Sequence, residues 1–107
     1  MAKYEMKFMF DWGSGSCVWT TNEEAEKKYG YPVQTKNLPI SNELKTKLEM
    51  LIEKHDEALD WDCPQNDLLW SYEQISLFEN EAIEAYYKLC DELGHDYKIE
   101  LWRDCLI

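Results

Sequence analysis

From Tyr4 to Trp12, large apolar side chains fall at every second position (Tyr4, Met6, Phe8, Phe10, Trp12), with Glu5, Lys7 and Asp11 between them and only Met9 out of step. A period of two sustained over that length predicts a strand with one buried face. Gly13-Ser14-Gly15-Ser16 interrupts the alternation, and Cys17-Val18-Trp19-Thr20 predicts the return strand of an N-terminal hairpin. Thr21 with Glu24 three residues on has the form of a capping box, and Gly30 can supply a left-handed stop, so a short helix is expected over 22–29. Tyr31-Pro32-Val33-Gln34 reads as extended, and Pro39 keeps Leu38 out of helical geometry.

The period then changes. Ser41 is a good N-cap with Glu43 in the first turn, and Leu44, Leu48, Leu51, Ile52, His55 and Leu59 follow at helical spacing, predicting a helix from about 42 to 61 that Pro64 and Asn66 end. Ser71 and Gln74 form a second capping box. Ile75, Phe78, Ala82, Tyr86, Leu89, Cys90 and Leu93 draw one stripe until Gly94 closes the second long helix. Tyr97, Ile99 and Leu101 alternate with Lys98 and Glu100, a C-terminal strand. The economical way to bury these stripes is an α+β fold: a small, mostly antiparallel sheet (N-terminal hairpin plus C-terminal strand) against two long antiparallel helices and one short helix.

Composition supports one domain over residues 1–107, since 45% of residues are apolar and 31% charged, enough to build a core. MAKYEMKFMF interleaves Lys3, Glu5 and Lys7 with large side chains, unlike a secretory or membrane-spanning segment, so a cytoplasmic address is expected. Cys17, Cys63, Cys90 and Cys105 stand far apart without a Cys-x-x-Cys pair and read as free thiols.

Charge changes the picture more. The net charge of −11 exceeds the usual range of about 2–8 for a small domain. It is also lopsided: residues 1–48 are net +1, while 49–107 carry sixteen acids against four bases, net −12. Such a field repels nucleic acid and anionic lipid and attracts basic surfaces at long range, so neither direct nucleic-acid binding nor a membrane partner is expected.

The excess is densest in DEALDWDCPQNDLLW, residues 56–70, where five carboxylates surround two tryptophans without one basic residue. On a helical wheel Trp61 lies more than about 90° from the Leu44/Leu48/Ile52/Leu59 stripe, so a helix reaching that far would present it outside the core. A plain account is a small local core of Trp61 and Trp70 with solvated acids around it. The sharper account is a partner-binding rim over 53–73 made of Glu53, Asp56, Glu57, Asp60, Trp61, Asp62, Asp67 and Trp70, in which indoles supply contact area and carboxylates steer and pair with Lys or Arg. Further acids crowd the outer faces of the second long helix and last strand: Glu73, Glu79, Glu81, Glu84, Asp91, Glu92, Asp96 and Glu100.

Enzyme-like signals are weak. His55 lies in the middle of an apolar stripe, where a buried, hydrogen-bonded imidazole is the favoured account over a catalytic base, and His95 follows Gly94 at a helix C-terminus, where a cation suits the dipole. Asp60, Asp62 and Asp67 lack the spacing of a calcium loop, and Cys63 with His55 lacks zinc-ligand spacing. The Gly-Ser turn lacks the lysine of a phosphate loop. No catalytic residue, metal or cofactor is expected.

Leu38-Pro39-Ile40-Ser41 opening a helix, then His55-Asp56-Glu57-Ala58-Leu59-Asp60-Trp61 and a Pro64 to Trp70 connection, resembles the small acidic bacterial immunity proteins of contact-dependent growth inhibition and other polymorphic toxin systems. The resemblance is one of size, acidity and a helix-loop-helix pattern over roughly residues 38 to 100, and it carries no residue roles. It implies a non-enzymatic protein that binds and neutralises the C-terminal toxin domain of a sister cell's effector, often a nuclease. That agrees in kind with the charge, because a nuclease cleft is basic. Two other readings fit less of the sequence: an acidic regulatory adaptor for a basic cytosolic protein, and a small hydrolase using His55 and paired carboxylates.

Overall fold

A computed structural model describes residues 2–63, 65, 67–103 and 106. The elements run β1 (Tyr4–Phe8), β2 (Val18–Thr20), α1 (Glu23–Tyr29), a 3-10 turn (Thr35–Asn37), α2 (Asn42–Glu57), α3 (Tyr72–Leu93) and β3 (Tyr97–Leu101). The fold is α+β, as the hydropathy pattern predicts.

The sheet is mixed, in the order β2-β1-β3. β1 pairs antiparallel with β2 (Met6 opposite Thr20, Phe8 opposite Val18), which is the predicted hairpin, and parallel with β3 (Tyr4 opposite Tyr97, Phe8 opposite Leu101). Tyr4, Met6 and Phe8 are buried with half-exposed Glu5 and Lys7 between them, so the period of two has its expected cause. The strand stops at Phe8, short of the predicted Trp12. Beyond it the chain turns, with Ser14 N–H donating to the Asp11 carbonyl at 3.2 Å.

α1 is capped by Asn22 rather than by Thr21. Its Oδ1 accepts from Ala25 N at 3.0 Å and from Glu5 N at 3.2 Å, and its Nδ2 donates to the Lys3 carbonyl at 3.1 Å. An amide reaches two strand groups that a threonine hydroxyl cannot, so the cap doubles as a tie between α1 and β1. Gly30 ends the helix at φ 81, donating to Glu26 O.

α2 and α3 lie antiparallel, as the pairs Ser41–Glu92 and Lys54–Glu81 require. Leu44, Leu48, Leu51 and Ile52 of α2 meet Phe78, Ala82, Ala85, Leu89 and Leu93 of α3 and the buried face of β1 in one core. Each fully buried Leu or Phe contributes roughly 1.5–3 kcal/mol from water exclusion. Ser41 caps α2, its Oγ accepting from Leu44 N at 3.2 Å, and the Glu92 carboxylate accepts from both Ser41 N and Ser41 Oγ. The Ser71/Gln74 box closes in both directions: Ser71 N donates to Gln74 Oε1 at 2.8 Å and Gln74 N to Ser71 Oγ at 3.2 Å.

The predicted helix over 42–61 ends at Glu57 instead. Ala58 N donates to the His55 carbonyl and Leu59 N to that of Asp56, so the last turn tightens and the chain leaves the helical path before Trp61. The predicted stop at Pro64 and Asn66 and the Cys105 thiol lie outside the described residues. Cys17, Cys63 and Cys90 are free.

Candidate functional site

The C-terminal turn of α2 organises this end of the molecule. A helix end exposes carbonyls that need donors, and here the donors come from both sides. The Trp12 indole Nε1, from the hairpin tip, donates to the His55 carbonyl at 2.8 Å. The Trp61 indole Nε1, from the connection that follows, donates to the next carbonyl, Asp56 O, at 2.7 Å. Leu69 N then donates to Ala58 O at 2.8 Å and ties the far end of the connection to the same turn.

The hairpin tip is held a second way: Gly13 N donates to Asp56 Oδ1 at 3.0 Å. Gly13 has φ +79, and a Cβ there would meet the Trp61 ring at 3.5 Å. The rim and the tip therefore form one continuous surface. Trp61 is fixed by its N–H and one ring edge yet remains 55% exposed, a preset aromatic face rather than a core residue.

The rim residues named from sequence fall into four groups. Asp56 and Trp61 are brought together, as described. Asp60 turns its carboxylate onto the backbone, Oδ1 accepting from Asp62 N and Cys63 N at 3.2 Å each, so it shapes the loop. Glu57 and Trp70 line one cleft between α2 and α3, with Lys54, Gln74, Leu77, Phe78 and Glu81. Trp70 is half-buried, its ring 5.3 Å from that of Phe78. Glu53, Asp62 and Asp67 are exposed, and Asp62 is joined to the rim through its backbone N–H on Asp60 Oδ1. Among the described residues Glu53, Asp56, Glu57, Asp62 and Asp67 make no ion pair.

The acids of α3 differ. Glu81 takes Lys47 at 3.5 Å and Lys54 at 3.4 Å. Burial pushes its carboxyl up, but the two ammoniums outweigh that and hold it below the usual carboxylate range. Lys54, which borders the cleft beside Glu57 and Trp70, is thus committed to Glu81.

His55 is 2% exposed. Trp12 stacks on it at 4.6 Å and 19°, and the rings of Phe10 and Phe78 approach it at 5.2 and 5.7 Å. Burial pushes the imidazole down to about 4, against an upward pull from Asp56 and Asp11. Sealed by rings and held neutral, it packs in the core, which weighs against the reading of His55 as a hydrolytic base. Among the described residues no group of three or more His, Cys, Asp or Glu could hold a metal ion, and no helix is long and apolar enough to cross a membrane.

Trp12 and Gly13 escape the sequence reading because alternation alone assigns Trp12 to the buried face of a strand. Exposed Leu69, Tyr72 and Leu77, at 62%, 91% and 63%, also border the rim. Tyr72 and Leu77 were visible in the sequence as apolar residues off the α3 stripe, and Leu69 lies just before the helix.

Among known families, the model described as Serratia CdiI immunity protein-like matches residues 4–104. No curated protein matches the chain.

Proposed function

The chain belongs to the Serratia CdiI immunity protein-like family, and from that premise we propose that it binds and neutralises a basic toxin domain, the nuclease domain of a contact-dependent growth inhibition effector, without catalysing a reaction. The surface is the rim formed by Glu53, Asp56, Glu57, Asp60, Trp61, Asp62, Asp67 and Trp70. One observation carries this reading beyond the family: Trp61 is held open by its own hydrogen bond to Asp56 O, beside Asp56, Glu57 and Asp62, which make no ion pair among the described residues.

An aromatic residue already fixed in its bound orientation loses little conformational freedom on docking. The concentration of acids around it raises the capture rate, toward about 10⁸–10⁹ M⁻¹s⁻¹ at low salt, by attracting a cleft built to hold phosphates. Both features suit a protein that must stop a toxin before it turns over.

The test is co-expression with the C-terminal domain of the effector encoded beside this chain's gene. A complex that co-purifies, abolishes the domain's nuclease activity and associates more slowly as salt rises supports the proposal. Absence of a complex, or one indifferent to salt, refutes it.

A further inference from the structure

The cleft that Glu57 and Trp70 share has a volume of ≈ 260 Å³. Trp70, Leu77 and buried Phe78 give it an apolar wall, and two carboxylates, Glu57 and Glu81, stand at its edges. These acids are in different states. Glu81 already accepts Lys54 and Lys47 at 3.4 and 3.5 Å. Glu57 makes no ion pair among the described residues, and it is the last residue of α2. A carboxylate at the negative end of a helix is disfavoured by the dipole, and a cation placed beside it relieves both charges.

We infer that this cleft is the seat of an arginine side chain supplied by the toxin domain, its guanidinium against the Trp70 ring and paired to Glu57. The inference rests on the immunity reading and names the partner chemistry at one end of the rim. A guanidinium is planar, weakly hydrated and able to stack on an indole while a carboxylate grips its edge. An ammonium keeps its water and gains little from the apolar wall. The surrounding field suits the same occupant, since residues 49–107 are net −12.

The probe is a short acetylated, amidated Gly-Arg-Gly-Arg-Gly peptide titrated into the ¹⁵N-labelled full-length chain, with its lysine counterpart beside it. The expected result is a saturable shift of the Trp70 indole and Gln74 side-chain amide resonances with the arginine peptide, several-fold weaker with lysine. Glu57→Gln and Leu77→Ala, both at exposed positions, should each weaken the arginine response while leaving the remaining spectrum in place. Equal, diffuse shifts with both peptides, or an arginine response untouched by Glu57→Gln, would overturn the seat. The peptide measurement needs no toxin, so its outcome is independent of co-purification. A toxin complex in which Trp70 and Gln74 do not shift would remove the seat and leave the immunity reading standing.

Discussion

The indole of Trp12 lies flat over the imidazole of His55, ring centroids 4.6 Å apart and planes 19° from parallel, across 43 residues of sequence. The same indole donates to the His55 carbonyl. One side chain thus closes the core over a histidine and caps the helix end that carries the rim. Rings continue inward through Phe10 and Phe78 to Trp70, so the hairpin tip, α2 and the start of α3 are joined by aromatic packing.

Stability should fall on mild acidification, and His55 sets the window. Its folded value of about 4 lies below its ordinary 6.5. The unfolded chain therefore binds the proton first, and the contribution of His55 is complete above pH 6.5 and lost as pH falls from there toward 4. The slope approaches about 1.4 kcal/mol per pH unit within that window. Urea melts at pH 7 and pH 5 measure it; His55→Phe, which suits a site lined by rings, should flatten the difference between those two values.

Gly13→Ala tests the contact between tip and rim. Its φ of +79 strains any L side chain, and the new Cβ would stand 3.5 Å from the Trp61 ring. Gly15, at φ +70 with nothing within 4 Å, provides the control. Both alanine variants should lose about 1 kcal/mol, a fall in Tm of roughly 4–8 °C. Only Gly13→Ala should also move the Trp61 indole resonance; identical spectra around Trp61 in the two variants would mean the contact does not position it.

Local chemistry was legible and long-range closure was not. The Ser71/Gln74 box, the Ser41 cap, and Gly30 and Gly94 as stops depend on residues within a turn of each other, and each forms where the sequence puts it. The parallel pairing of β1 with β3 joins residues more than ninety positions apart, and alternation in either strand is silent about direction. The early end of α2 was hidden for a related reason. Leu59 continues the helical period, but the carbonyls that end the helix are claimed by Trp12 and Trp61. The concentration of charge around Trp61 and Trp70 was visible in the sequence, whereas the contact of Trp12 and Gly13 with the end of α2 required the fold.

Glu81→Gln should cost at most about 1 kcal/mol, because the pairs it forms with Lys47 and Lys54 are about a third exposed and screened by solvent. Its depressed pKa adds stability above the ordinary carboxylate value that is lost as pH falls below it. Raising salt to 1 M should shrink the gap between wild type and variant in denaturation experiments, since the Debye length there is only about 3 Å. A gap unchanged by salt would assign the effect to packing instead of charge.

Charge reversal separates the acids that steer from the acid that builds. Asp62 and Asp67 are exposed, whereas Asp60 Oδ1 accepts from two backbone amides. Asp62→Lys with Asp67→Lys should leave the melting temperature within a few degrees of wild type and slow association with the toxin domain by about tenfold or more at low salt, with dissociation little changed. Asp60→Lys changes the charge by half as much and also removes the acceptor for the Asp62 and Cys63 amides. It should therefore slow association and speed dissociation together, because the loop no longer presents its residues in one arrangement. Stopped-flow association at two salt concentrations, paired with a dissociation chase, reads both rates. If the Asp62/Asp67 double reversal left the association rate unchanged, the toxin would approach by another face of the molecule.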